Sequence, residues 1–179
     1  GVFNEEKSGR NIMSLKKAYE PYFKIGTSVN RWNMKSDKAK EELVKHYSCI
    51  TAENDMKPMF LLDEKANLEN PEKYYTNPAV CFDTAIPYLE FAKENGIALR
   101  GHTLVWHFQT PFWFFKEKYS MDMEAPWASK ETMLARMESY IKSVLTFTQT
   151  EYPGVIYAWD VVNEAMEEEE ADCWRKKSL

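Results

Sequence analysis

The 179-residue chain predicts an α/β fold, a parallel sheet with crossover helices, and within that class a (β/α)8 TIM barrel of which these residues supply about the first four β/α units. Three observations carry the prediction. Extended and helical patterns alternate along the whole chain, as a parallel sheet requires. The polar clusters Glu53-Asn54, His102 and Asn163-Glu164 each fall at the C-terminal end of a predicted strand, where barrel enzymes build their sites. Neither GxGxxG nor GxxxxGK[ST] follows any strand, which weighs against the doubly wound alternative. A barrel takes eight strands and roughly 250 residues, and four strands are legible here. Residues 1–179 therefore read as one unit, the N-terminal half of a single barrel.

The first strand is read over Tyr22–Val29. Ser36 then offers a helix cap, and Ala39, Leu43, Val44 and Tyr47 recur at helical spacing. Cys49–Ala52 is the second strand. Residues 58–78, rich in Pro, Asn and Glu, read as a long loop. A second helix is expected from near Asp83, with Ala85, Ile86, Leu89 and Ala92 on one face. Pro87 is tolerated in its first turn and Asn95-Gly96 closes it. Ile97–Val105 is the third strand, and an aromatic loop with Phe108, Phe112, Trp113, Phe114, Phe115, Tyr119 and Trp127 follows. Ser129 caps a long helix whose apolar stripe is Met133, Leu134, Met137, Ile141, Val144 and Leu145, and Tyr152-Pro153-Gly154 breaks it. Val155–Val162 is the fourth strand, with Trp159, Val161 and Val162 expected to be buried. The two outer strands leave sheet edges, which invite association.

Composition narrows the function classes. A 44% hydrophobic content excludes disorder as a global reading, and a net charge of −5 weighs against nucleic acid as a partner. No stretch approaches the roughly 20 apolar residues of a membrane span. Cys49, Cys81 and Cys173 are odd in number and widely spaced, so neither a disulfide framework nor a metal site is expected. Gly1-Val2-Phe3-Asn4-Glu5 lacks the basic and apolar segments of a signal peptide. The 26 aromatic residues (6 Trp, 10 Tyr, 10 Phe) imply a heavy core or a surface that stacks on flat ligands.

Glu164 is the first candidate for chemistry. A carboxylate at the end of a buried strand among aromatics has its charged form disfavoured, which suits a general acid; the competing reading is a surface Glu that opens an acidic loop. Asn163 beside it both donates and accepts hydrogen bonds. Glu53, Asn54 and Lys57 place carboxylate, amide and ammonium within five residues, the crowding that sugar hydroxyls need. A Schiff-base Lys57 and a solvated loop with incidental ion pairs are the alternatives. His102 and His107 point to opposite faces while the strand lasts, which argues against joint metal ligation, whereas His102 and Trp106 share a face. Imidazole and indole there suit a sugar pocket; a satisfied core histidine and a core tryptophan are the plain readings.

Three segments together carry a family resemblance: Thr51-Ala52-Glu53-Asn54-Asp55-Met56-Lys57-Pro58, Arg100-Gly101-His102-Thr103-Leu104-Val105-Trp106-His107 and Trp159-Asp160-Val161-Val162-Asn163-Glu164-Ala165. In order and spacing they resemble glycoside hydrolase family 10, the retaining endo-β-1,4-xylanases. The resemblance runs from Phe23 to Glu164 and into Trp174–Leu179. It implies that Glu164 is the acid/base catalyst and that Asn163 bonds the sugar 2-hydroxyl. It implies that His102 and Trp106 shape the subsite before the scissile bond, that Glu53, Asn54 and Lys57 hold the next sugar, and that Gln109 is a polar residue near the site. Asp55 and Phe108 depart from the family pattern, which has Glu and a small polar residue there.

Xylan and xylo-oligosaccharides are the substrates so implied, no cofactor is needed, and the location is secreted or cell-surface. Retaining glycosidases place two carboxyl groups about 5–5.5 Å apart. Glu164 is one; the family's nucleophile is a second Glu after strand seven, expected from a second polypeptide with the C-terminal half of the barrel. A non-catalytic xylan-binding half-barrel and a related clan glycosidase acting on β-glucan or mannan are the alternative readings.

Overall fold

The computed structural model describes residues 13–176, so the leader reading of Gly1–Glu5 and the terminal Lys177-Ser178-Leu179 lie outside the described residues. Its frame is a four-stranded parallel sheet, β1 (Gly26–Val29), β2 (Cys49–Ala52), β3 (Ala98–Trp106) and β4 (Ile156–Asn163), in the spatial order β1-β2-β3-β4. Gly26 pairs with Cys49, Cys49 with Ala98, and Leu99 with Ile156. Sequential parallel neighbours joined by helical crossovers are the barrel pattern, and the sheet is a four-strand arc of one.

Helix α1 (Leu15–Tyr19) precedes β1. The first strand is four residues shorter at its start than the sequence suggests. The Tyr22 and Phe23 amides turn back onto the Tyr19 carbonyl at 2.8 and 3.1 Å, and so are spent on the helix end rather than a ladder. Helix α2 (Arg31–Lys35) follows β1 directly, where the sequence showed nothing, because Asn30 and Asn33 form a reciprocal capping box. Helix α3 (Asp37–His46) begins as read, with the Ser36 hydroxyl accepting from the Ala39 amide and Leu43 buried.

Residues 58–78 are more ordered than a long loop. They hold α4 (Pro58–Leu61), opened by a proline whose φ suits the first turn, and α5 (Glu64–Glu69), capped by Asp63. Fully buried Asn67 fastens the segment: its amide donates to the Asp63 and Ala79 carbonyls and accepts from the Ala79 amide. Helix α6 (Ile86–Asn95) starts three residues after Asp83, has Pro87 in its first turn, and ends at Gly96 with φ +60°.

The aromatic loop divides. Trp113, Phe114 and Tyr119 are buried around a 3-10 turn at Phe112–Phe115, whereas Phe108 and Trp127 are exposed. Helix α7 (Lys130–Glu151) is capped by Ser129 and ends before Tyr152 as expected; Val144 of its apolar stripe is buried and Met133, Ile141 and Leu145 pack against the core, but the buried face is rotated away from the rest of the stripe. Thr132, Arg136, Tyr140, Val144 and Thr148 point inward, and Leu134 and Met137 are exposed. Arg136 decides this rotation. Its guanidinium, fully buried, donates to the carbonyls of Tyr75, Phe114, Lys116 and Glu117 at 2.7–2.8 Å. A planar five-donor group can satisfy a polar cage that no apolar side chain could.

The core lies between sheet and helices, with Val29, Ile50, Ala52 and Leu99 from the strands against Leu43, Tyr88, Leu89, Ala92 and Val144. Gly101 is required where it stands, since a Cβ there would lie 2.3 Å from the Trp159 ring. The expected burial of Val161 and Val162 is corrected. Both are more than half exposed, because β4 is the outermost strand and no described element covers its free side. No described helix is long and apolar enough to cross a membrane.

Candidate active site

The C-terminal ends of the four strands bring the sequence-predicted residues to one rim. The turn after β2 places Glu53, Asn54 and Lys57, and the Glu53 amide continues the ladder by donating to Val29 O at 2.8 Å. Lys57 is nearly buried. Its ammonium donates to Asn54 Oδ1 at 2.9 Å and to Gln109 Oε1 at 2.5 Å, and lies 4.8 Å from the Trp106 ring centroid. Burial pulls the Lys57 pKa below the usual lysine value, while the negative charges of Glu53 and Glu164 pull it back up. With two side-chain oxygens and an indole face as partners, this ammonium is a hydrogen-bonding post.

Beneath this turn Tyr88 Oη donates to the buried Asp55 carboxylate at 2.6 Å, and Thr84 Oγ1 bonds the Asp55 carbonyl at 2.8 Å. Burial and the Asp55 carboxylate push the Tyr88 phenol well above its ordinary value, so it stays a donor. Asp55, a departure from the family pattern, thus anchors the floor of the turn.

At the end of β4 the backbone of Glu164 turns into the left-handed region, φ +51°, a conformation that costs an L-residue roughly 1–2 kcal/mol. Arg175 Nε donates to the Glu164 carbonyl at 2.9 Å and holds the turn. The carboxylate accepts a hydrogen bond from Trp106 Nε1 at 2.8 Å, and His107 Nε2 stands 3.9 Å away. The expected burial of Glu164 is corrected: its side chain is 54% exposed, for the same reason that Val161 and Val162 are. Trp106, His107, Asn163 and Glu164 line one cavity of about 670 Å³.

His102 is engaged elsewhere. Strand parity put it on one face with Trp106, but a register shift between His102 and Val105 interrupts the alternation against β4. His102 Nδ1 meets Asp160 Oδ2 at 3.0 Å, and it does not line the cavity of Trp106 and Glu164. Arg100 Nε binds both Asp160 oxygens at 3.0 and 3.1 Å. Burial alone would push the Asp160 carboxyl up, but the hydrogen bonds and charges of Arg100 and His102 hold it below the ordinary range. Thr103 Oγ1 adds a bond to the Asp160 carbonyl at 2.7 Å.

Asp160, Arg100 and Arg136 went unnoticed in the sequence, although a signal existed. Asp160 is the lone charge of β4, and Arg136 sits four and eight residues before Tyr140 and Val144, on a helix face where a charge buried without a partner is too costly to persist. The two histidines are not joined, and among the described residues no cluster of three or more His, Cys, Asp or Glu could hold a metal.

Comparison with known proteins agrees with this geometry. The profile described as glycosyl hydrolase family 10 matches residues 14–179. The chain is 59% identical over 156 residues to endo-1,4-β-xylanase B of Butyrivibrio fibrisolvens, covering 87% of this chain and 24% of that protein. It is 40% identical over 174 residues to endo-1,4-β-xylanase A of Thermotoga maritima, covering 97% of this chain and 15% of that one. An N-terminal endo-1,4-β-D-xylanase of Clostridium thermocellum, solved with xylohexaose, superposes with a TM-score of 0.81 at 35% identity over 93% of this chain and 32% of its own. The chain thus spans a quarter or less of these two curated relatives. A profile match over nearly its whole length, relatives of this identity and a shared parallel-sheet frame place the chain in glycosyl hydrolase family 10.

Proposed function

We propose that this chain forms part of the active cleft of a retaining endo-1,4-β-xylanase, with Glu164 as general acid/base. The observation that supports it best is the Glu164 carboxylate at the end of β4, oriented by the Trp106 indole at 2.8 Å and flanked by Asn163 on the same cavity. The names of the relatives and the xylohexaose bound to a structural neighbour support xylan as substrate.

Glu164 donates a proton to the leaving glycosidic oxygen and then takes one from water. Asn163 bonds the 2-hydroxyl at the cleavage point. Trp106 presents its ring to a sugar while its N–H holds the catalyst. His102 acts from below the rim, held by Asp160. Asn54, Glu53 and Lys57, with Gln109 fixing the ammonium, hold the next sugar. The nucleophilic Glu comes from barrel strands beyond these residues, as a continuation of the polypeptide or on a second one that packs along β4. Because the substrate is a polymer, the enzyme acts outside the cell or on its surface.

The test is Glu164→Ala in the assembled enzyme. Hydrolysis of xylan, whose leaving group needs a proton, falls by at least about 10²; the first step on an aryl xylobioside with an acidic phenol falls far less. Equal loss on both rejects the role of Glu164, and turnover of mannan or β-glucan in preference to xylan rejects the substrate.

A further inference from the structure

The rim residues follow the sheet order. Glu164 ends β4, Trp106 ends β3, and Glu53, Asn54 and Lys57 follow β2. The line does not stop at β2. Asn30, at the end of β1, donates from Nδ2 to Glu53 Oε2 at 3.2 Å, and its Oδ1 accepts from the backbone amides of Trp32 at 3.1 Å and Asn33 at 3.2 Å. One asparagine side chain therefore ties the sugar-binding carboxylate of β2 to the first turn of α2. From that turn the Trp32 side chain projects 69% exposed. Lys35 Nζ lies 5.3 Å from its ring centroid.

We infer that Trp32 is the platform of an outer sugar subsite, which takes the third xylosyl unit of a β-1,4-xylan chain counted back from the scissile bond. The inference rests on the function proposed above. Adjacent strands lie about 4.8 Å apart, close to the length of one pyranose unit, so each step along the rim serves one sugar. The steps at β3–β4 and β2 are occupied by Trp106 with Glu164 and by Lys57 with Glu53, and the next step is β1. The C–H face of a xylose stacks on an indole, an amphipathic surface suited to a sugar. The Asn30 bridge sets the ring relative to Glu53, so the outer platform and the neighbouring carboxylate are held as one unit.

The test compares 4-nitrophenyl β-xylobioside with the xylotrioside on the assembled enzyme. Sugar products are resolved so that only cleavage at the aryl bond counts, which fixes the number of sugars on the glycone side. In Trp32→Ala the trioside kcat/KM falls about tenfold, a loss of about 1.4 kcal/mol, while the bioside is unchanged. Trp32→Tyr keeps the trioside preference because it keeps a ring. An unchanged trioside rate, or an equal fall on both substrates, overturns the subsite while leaving the xylanase reading intact. An enzyme that cleaves neither xyloside but cleaves the corresponding cellobioside overturns the xylanase reading and the xylosyl subsite with it.

Discussion

The Trp106 indole donates to the Glu164 carboxylate at 2.8 Å while its ring faces the Lys57 ammonium at 4.8 Å, so one side chain orients residues from two other strands. Hydrogen bonds to charged groups contribute about 1.5–3 kcal/mol. Trp106→Phe keeps a ring and removes the N–H. We expect kcat on xylan to fall about 10- to 100-fold with the fold retained; an unchanged kcat would show that the indole N–H does not position the catalyst.

Lys57→Met keeps the aliphatic stem and deletes the ammonium, leaving the Asn54 and Gln109 oxygens without their donor. Catalysis weakens most on short xylo-oligosaccharides, where one subsite is a large share of binding. Borohydride treatment with substrate leaves no reduced adduct on Lys57. An adduct found by mass spectrometry identifies a Schiff base and contradicts the role of a sugar-binding post.

Asp160 makes a pH-dependent contribution to stability whose sign follows from its depressed pKa. A carboxyl held below its unfolded value of about 3.9 stabilises the fold fully at higher pH. That contribution is lost as pH falls past 3.9 toward the depressed folded value. Asp160→Asn is therefore less stable than wild type by urea unfolding at pH 7, and the gap narrows at the acid end. A gap that is constant across pH contradicts the assignment.

Arg136 carries no sugar and no proton, yet four carbonyls depend on it. Arg136→Met leaves buried acceptors unpaired at about 1–3 kcal/mol each for groups that water cannot reach. Urea unfolding should show a loss of at least about 3 kcal/mol, with proteolytic cleavage appearing first in the 111–128 loop. Cleavage elsewhere with a small stability change argues against the cage as the loop's fastening.

The free side of β4 displays Val161 and Val162, each more than half exposed. A polypeptide carrying further barrel strands and a second catalytic Glu is expected to cover them. Amide exchange along Ile156–Asn163 slows when it does, and retaining hydrolysis follows. Hydrolysis of xylan by these residues without such strands would place the nucleophile within them and remove the need for a partner.

All four strands, with only the start of the first read too early, the Ser36 and Ser129 caps and the Gly96 stop were legible because each depends on neighbours in sequence. Cys49–Ala52 matched to the residue, and a hydroxyl three positions before an amide is a local event. The rim residues were legible for a related reason: Glu53-Asn54, Trp106 and Asn163-Glu164 lie at or just past strand ends, and strand ends are visible in the pattern. What the tertiary structure decided is which face of each element turns inward and who partners whom. The inward face of α7 keeps Val144 of the apolar stripe but centres on Arg136 and Tyr140 and leaves Leu134 and Met137 outside, because four carbonyls from loops far along the chain converge on Arg136 and only a guanidinium satisfies them. His102 was drawn to Asp160, the carboxylate that Arg100 also binds, and Trp106 to Glu164, because a register shift within β3 breaks the alternation that parity assumes. Side-chain periodicity is a property of one element, whereas the partners of a buried charge come from several.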